Sequence, residues 1–337
     1  MWRLDNLLQL AHIALPFLKI YFTHRQGSSN RRQVAFWSEA LQVIPELKHL
    51  PDFLRSRIRH YQFANSLTMQ WFNVLHNKKP SAHERNAGWY LAVATPIADF
   101  LVDELGKNAK EITSMMEKPE NTIYDQMAHK LLGQSQRLNS NKRFMDFLYQ
   151  TLRAQEKSLL QKTGMQNVDT VKQITWEKGG FALLLYRTAL SIPISSQEEK
   201  AIFQIGGLMQ LHNDIFDLFR DTRDDIQTLP THIESVNTLK SIYEKEVRTT
   251  IEMVDAIPVA KHQRKRFLLL VLLAVNTGYV CLAQYEALEK RSKGKFTPKN
   301  YTKHELICDM DQWSKIAWVV WKTINYKIAV TKFDEAV

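Results

Sequence analysis

The residues best suited to do chemistry lie in one short run, Gln210-Leu211-His212-Asn213-Asp214-Ile215-Phe216-Asp217-Leu218-Phe219-Arg220-Asp221-Thr222-Arg223-Asp224-Asp225. From Asn213 onward it holds one Asn and five Asp in thirteen residues of a chain whose net charge is +10. On a continuous helix, Gln210, Asn213, Asp214, Asp217, Asp221, Asp224 and Asp225 fall within an arc of roughly 120°. Ile215, Phe216, Leu218 and Phe219 fall outside it. Like charges at i,i+4 weaken a helix and Asp is a poor helix former, so such a face costs stability. A hard divalent cation such as Mg²⁺, which takes oxygen ligands from carboxylates and substrate phosphates, would offset that cost. The competing reading is a solvated charged face. Against it, the run holds no Lys and only two Arg, and the apolar stretch Ile202-Phe203-Gln204-Ile205-Gly206-Gly207-Leu208-Met209 leads into it.

A second acidic group lies about 110 residues upstream, in Thr95-Pro96-Ile97-Ala98-Asp99-Phe100-Leu101-Val102-Asp103-Glu104. Asp99 and Asp103 are spaced i,i+4 and share a helix face. Glu104 flanks them, and Trp89-Tyr90-Leu91-Ala92-Val93-Ala94 before them reads as buried.

Two acidic helix faces in a helical chain resemble the class I isoprenoid (terpenoid) synthase superfamily. Gln210-x-x-Asn213-Asp214-x-x-Asp217 is similar to the Q-x-x-D-D-x-x-D of trans-prenyl diphosphate synthases. Asn213-Asp214-x-x-Asp217-x-x-x-Asp221 resembles the N-D-x-x-S-x-x-x-E of terpene cyclases, with Asp at both last positions. Read on to Leu229-Pro230, it looks like the Q-x-x-N-x-x-x-D-x-x-x-D…L-P of squalene and phytoene synthases. Asp99-x-x-x-Asp103-Glu104 is similar to the D-x-x-x-D-D of that same group. More loosely, Arg85 to Tyr90, Trp176 to Ala182 and Phe267 to Glu289 resemble helices of these enzymes, so the likeness covers roughly residues 80–290.

The resemblance implies an all-α, single-domain helical bundle around a central apolar cavity. It implies Mg²⁺ held by Asp99, Asp103 and Glu104 from one side and by Asn213, Asp214, Asp217 and Asp221 from the other. Asp99, Asp103, Asp217 and Asp221 would be its catalytic carboxylates, and Lys178, Arg187 or Arg220 would hold the diphosphate. Arg220 lies about 20° from Asn213 on a helix, and screening of its acidic neighbours is the equal alternative for it. The implied reaction ionises a prenyl diphosphate and either cyclises the cation or condenses it with a second prenyl chain. Three departures leave the product open. The first motif lacks a double Asp, the second lacks Ser and Glu, and Ile226 stands where squalene and phytoene synthases carry Arg. They also keep alive a reading of another class, a non-catalytic isoprenoid-binding or interaction protein with the same fold.

Eleven Gly and ten Pro in 337 residues, with helical periodicity throughout, agree with an all-helical chain. Twelve helices are expected, at about 3–23, 33–45, 50–76, 81–105, 108–117, 120–136, 140–163, 167–190, 197–226, 231–256, 259–291 and 303–333. Gly27-Ser28-Ser29-Asn30 and Lys290 to Lys303 read as loops, neither as a domain boundary. Cys281 and Cys308 cannot build a disulfide framework or a zinc site, which points to a reducing, cytoplasmic setting. No H-E-x-x-H, nucleophile elbow or phosphate loop is present. Met1 to Phe22 reads as a structural helix, since Asp5, Gln9, His12 and Lys19 interrupt it. Phe267 to Ala283 reads as a buried core helix, with Gly278 permitting close packing.

The basic balance calls for an anionic partner. Arg25/Arg31/Arg32, Arg55/Arg57/Arg59 and Lys261 to Arg266 are its clusters. Peripheral contact with an anionic membrane surface is one reading of it and simple solubility is the equal alternative; nucleic acid is not expected, because no nucleic-acid-binding motif is found. A homodimer is compatible with this reading. Trp313, Trp318, Trp321 and Tyr326 form an aromatic stripe expected to pack on the core, or else to line an apolar cavity where ring faces stabilise a cation.

Overall fold

A computed structural model describes residues 2–25, 31–118, 122–164 and 166–327. The expected loop at Gly27 to Asn30, the start of the helix expected at 120 and the end of the one expected at 333 lie outside the described residues. Among the described residues there is no β-strand, and the chain is all-α. In chain order the helices are α1 (Trp2–Arg25), α2 (Arg31–Val43), α3 (Asp52–His76), α4 (Ala82–Asp103) and α5 (Ala109–Ser114). Next come α6 (Ile123–Leu138), α7 (Phe144–Ser158), α8 (Val168–Arg187), α9 (Ser196–Phe216) and α10 (Leu218–Arg223). The last are α11 (Leu229–His232), α12 (Val236–Asp255), α13 (Lys261–Arg291), α14 (Lys303–Leu306) and α15 (Trp313–Ile324).

The helices form two compact units. One comprises Met1–Ala11, Lys157–Leu183 and Ile194–Val337; the other comprises His12–Glu156 and Leu184–Pro193. The second unit, which carries Asp99, is built on α4 packed against α3 and α6. Every residue from Ala87 to Ala94 is buried, as are Ile97, Ala98, Leu101 and Val102. The start of α4 is fixed by a capping box: Ser81 Oγ accepts from Glu84 N at 3.2 Å, and the Glu84 carboxylate accepts from Ser81 N at 2.7 Å. Although burial works to raise the Glu84 pKa, hydrogen bonds from Ser191 and Ser81 bring it down to about 2.

The first unit, which carries Asp214, is built on α13, packed against α9, α12 and α15. The helix is long and apolar enough to cross a membrane, yet two thirds of its apolar stretch is buried within the protein. Gly278 permits the close packing expected of it. A Cβ at residue 278 would lie 2.6 Å from Tyr243 Oη, which donates to Val275 O at 2.7 Å.

Two long helices expected from the sequence are interrupted. The helix expected at 197–226 ends at Phe216 and restarts at Leu218. The one expected at 303–333 has a non-helical segment between Leu306 and Trp313. There Gln284 Nε2 donates to Glu305 O and Ile307 O, carbonyls that a continuing helix would use itself. Asp309 Oδ1 also accepts from Asp311 N at 2.8 Å, a local bond that competes with helix.

Candidate functional site

In the Asp214 unit, a glycine crossing of α8 and α9 positions the acidic group. A Cβ at Gly179 would lie 2.1 Å from Gly206 O, and one at Gly206 would lie 2.2 Å from Gly179 O. A Cβ at Gly180 would strike the Phe203 ring, and one at Gly207 the Trp176 indole. Only residues without side chains allow two helix backbones to approach this closely. Thr175 lies one turn before Gly179 on its face of α8, with Lys178 three residues on from Thr175; Gln210 lies one turn after Gly206 on α9, and Asp214 one turn further. The crossing therefore sets Thr175 Oγ1 3.2 Å from Asp214 Oδ2, to which it donates. Gln210 Nε2 donates to Asp214 Oδ1 at 2.8 Å. The ammonium charge of Lys178 also acts on Asp214.

The acidic run is not one smooth helix. Asp217 sits at the break, with φ −87° and ψ 3°. Tyr285 Oη donates to Ile215 O at 2.8 Å and to Leu306 O at 3.0 Å. A side-chain donor inserted on a carbonyl of the helical ladder is an established cause of a kink. Tyr285→Phe is thus expected to lower stability by about 1–3 kcal/mol, because two buried carbonyls lose the one proton they share. A melting curve of the variant checks it, and an unaltered midpoint would show that the hydroxyl does not hold the break.

The expected arc of seven polar residues is corrected accordingly. Asp221 is buried and belongs to the group, but Asp224 and Asp225 do not. α10 ends at Arg223, which binds Asp224 at 2.7 and 2.8 Å. Asp225 takes a left-handed φ of 53°, tolerated by Asp, and faces Lys299 at 3.1 Å. Asp217 Oδ2 accepts from Asn213 Nδ2 at 2.8 Å and from Arg220 at 2.5 Å. Both readings of Arg220 thus remain, since the guanidinium that screens Asp217 stays largely exposed.

Burial pushes the Asp214 pKa up to about 6, against the pull of Gln210, Lys178 and Thr175. For Asp221, burial and then the charges of Asp214 and Asp217 push it up to about 7, against the pull of Arg220. The group is short of positive charge, and its donors are the hard oxygens a Mg²⁺ ion prefers. In kind, they fit the cation. They do not form a ready-made cage, for among the described residues no three His, Cys, Asp or Glu side chains converge as metal ligands. His212, on the same helix, is a packing residue. Burial lowers its pKa to about 4, and its Nε2 lies 2.6 Å from Thr277 Oγ1.

The Asp99 unit holds the other acidic group. Tyr61 Oη donates to Asp99 Oδ2 at 2.8 Å, and Arg57 lies 3.4 Å from the same oxygen. Burial and the Asp99 charge hold the Tyr61 pKa well above its ordinary value, so the phenol stays a neutral donor. Gln155 Nε2 donates to Asp103 Oδ1 at 2.8 Å. Glu104 caps the end of α4 and is exposed. Arg187 is wholly buried in this unit, donating to Ile192 O at 3.2 Å with His76 Nε2 3.0 Å away.

Tyr61, Gln155, Thr175 and Tyr285 are site residues that sequence reasoning missed. Each reaches its carboxylate or carbonyl from a distant part of the chain, and no spacing rule links such pairs. In comparisons with known proteins, no family model and no curated protein matches this chain.

Proposed function

We propose that this chain is a Mg²⁺-dependent class I isoprenoid synthase with an isoprenoid-synthase-like fold, acting on a prenyl diphosphate. The observation that carries the reading is the burial of Asp214 and Asp221 beside Asp217, with Lys178 close enough to act on Asp214. Carboxylates kept together at this cost in stability are expected where a cation and an anionic substrate complete the site. Asn213, Asp214, Asp217 and Asp221 would hold Mg²⁺ in this unit, and Asp99, Asp103 and Glu104 in the other. A bound divalent cation supplies Lewis-acid stabilisation of the departing diphosphate. Lys178 and Arg220 supply further positive charge to the phosphate oxygens. Arg187, buried with its guanidinium engaged, is not carried into the proposal. The allylic C–O bond breaks, diphosphate leaves with the electron pair, and the cation is captured within the molecule or by a second prenyl chain.

A second reading, non-catalytic isoprenoid binding, draws support from the engagement of Asp99, Asp103 and Asp217 by protein donors. One experiment separates the two. Purified protein is incubated with geranyl, farnesyl and geranylgeranyl diphosphates, singly and in pairs, with Mg²⁺, and the extract is examined by mass spectrometry. A hydrocarbon or terpene alcohol, absent with Asp99→Ala and Asp217→Ala, is the expected result. Binding of the substrates without diphosphate release would favour the second reading, and neither binding nor release would overturn both.

A further inference from the structure

The aromatic stripe expected to pack on the core turns outward. Trp313 is 76% exposed, Trp321 58% and Trp318 37%, whereas Val319 and Thr323 form the buried side of α15. On a helix, Trp313, Ala317, Trp318 and Trp321 fall within an arc of roughly 140°. A face of three tryptophans left to water has a large unrealised driving force for burial.

Several members of the basic clusters read from the sequence are already engaged within the protein. Arg55 is tied to Leu50 O and Lys48 O, and Arg57 to Asp99. Arg264 is buried on Ile257 O and Val259 O, Lys265 is paired with Asp5, and Arg266 donates to Gln9. Residues 313–327 contain Lys315, Lys322 and Lys327 and no acidic residue; Lys315 donates to Asp309 O at 2.6 Å, which leaves Lys322 and Lys327 as the lysines of this face. Lys322 Nζ lies over Tyr279 at 4.0 Å and Trp318 at 5.5 Å, beside the exposed arc. The acidic residues nearest in sequence, Asp309 and Asp311, precede the helix.

The start of α1 adjoins this helix. Asn6 Nδ2 donates to Ile324 O at 3.0 Å and to Tyr326 O at 2.9 Å. Leu4, Leu7, Leu8 and Ala11 are exposed at the i, i+3, i+4, i+7 spacing of a single apolar stripe, with Trp2 and Arg3 at its head.

We propose that α15, with the first turns of α1 beside it, is an interfacial anchor that seats the protein on an anionic bilayer surface. Tryptophan rings above an acid-free, lysine-bearing helix suit the headgroup layer, where an indole is half apolar and half wet. The core of a protein–protein contact takes Trp but is depleted of Lys, so a second copy of the chain is the poorer occupant. Attraction of the lysines to anionic headgroups adds to apolar burial.

The test is flotation of the full chain with vesicles of equal parts phosphatidylserine and phosphatidylcholine, and with pure phosphatidylcholine vesicles. The parent protein is expected to float with the anionic vesicles and more weakly with the neutral ones. A Trp313→Ser, Trp321→Ser double variant is expected to bind about tenfold more weakly or worse. Its melting temperature should match the parent's, because both side chains are exposed; should it melt lower, Trp313→Glu alone repeats the test at the most exposed position. No flotation of the parent, or equal flotation of the variants, overturns the proposal. Concentration-dependent self-association that the variants lose, without vesicle binding, overturns it in favour of a second copy.

Discussion

Gly179→Ala and Gly206→Ala are each expected to destabilise the protein severely, while Gly133→Ala leaves it unharmed or slightly more stable. At the α8–α9 crossing the new methyl would fall 2.1 or 2.2 Å from a backbone carbonyl oxygen of the facing helix. Neither helix can yield locally. Gly179 is flanked by Gly180 against Phe203, and Gly206 by Gly207 against Trp176, so separating the backbones loosens the whole contact. Overpacking of a core typically costs about 1–3 kcal/mol and more where nothing gives. A melting temperature lower by roughly 5–10 °C is expected for each variant. At Gly133, within α6, an added Cβ meets nothing within 4 Å. There Ala reduces the freedom of the unfolded chain and improves helix propensity, for a gain of about 0.5–1 kcal/mol. Equal melting temperatures across the three variants would show that the crossing is not tight. The crossing also aligns Thr175 and Lys178 with Asp214, so the two destabilised variants should lose Mg²⁺ response along with stability.

The helical class and most helix positions follow from local pattern, because they rest on apolar periodicity and on end signals such as Ser81 with Glu84. Asp52–His76 and Lys261–Arg291 lie within two residues of expectation. Where expectation failed, a distant side chain intervened. The break at Asp217 depends on Tyr285 Oη reaching Ile215 O across 70 residues, and the gap before Trp313 depends on Gln284. Local repulsion among the Asp residues hinted at a weak helix there, but its location needed the partner. Asn213, Asp214, Asp217 and Asp221 were legible because their spacing puts them on adjoining faces whatever the tertiary structure. Asp224 and Asp225 were misread for the same reason, since periodicity cannot tell where a helix stops. Gly179, Gly180, Gly206 and Gly207 were visible as residues but not as a pair of surfaces. The outward turn of Trp313 and Trp321 was hidden too, because an aromatic stripe has the same spacing whether it faces core or water.

Mg²⁺ is expected to flatten the pH dependence that the acidic group imposes on stability. The folded pKa values of Asp214 and Asp221, about 6 and about 7, both exceed the ordinary aspartate value of 3.8. Between 3.8 and about 7 the folded state therefore binds more protons than the unfolded state. Stability from these groups is fully present below 3.8 and is lost as pH rises through about 7. Without metal, the protein should be less stable, and melt lower, at pH 8 than at pH 6, by roughly 1–2 kcal/mol. Asp221→Asn keeps the shape of the side chain and removes the charge. It is expected to raise the metal-free melting temperature at pH 8 and to flatten the fall between pH 6 and pH 8. Millimolar Mg²⁺ should do the same for the parent, because a divalent cation replaces the missing protons, and should do little for Asp221→Asn or Asp214→Asn. On the proposed function, the variants that stabilise the metal-free protein are the ones expected to lack diphosphate release, as where a site is held together against its own repulsion. A parent whose melting temperature ignores Mg²⁺ at pH 8 would remove the cation from this group and leave Asp214 and Asp221 as buried, protonated parts of the core.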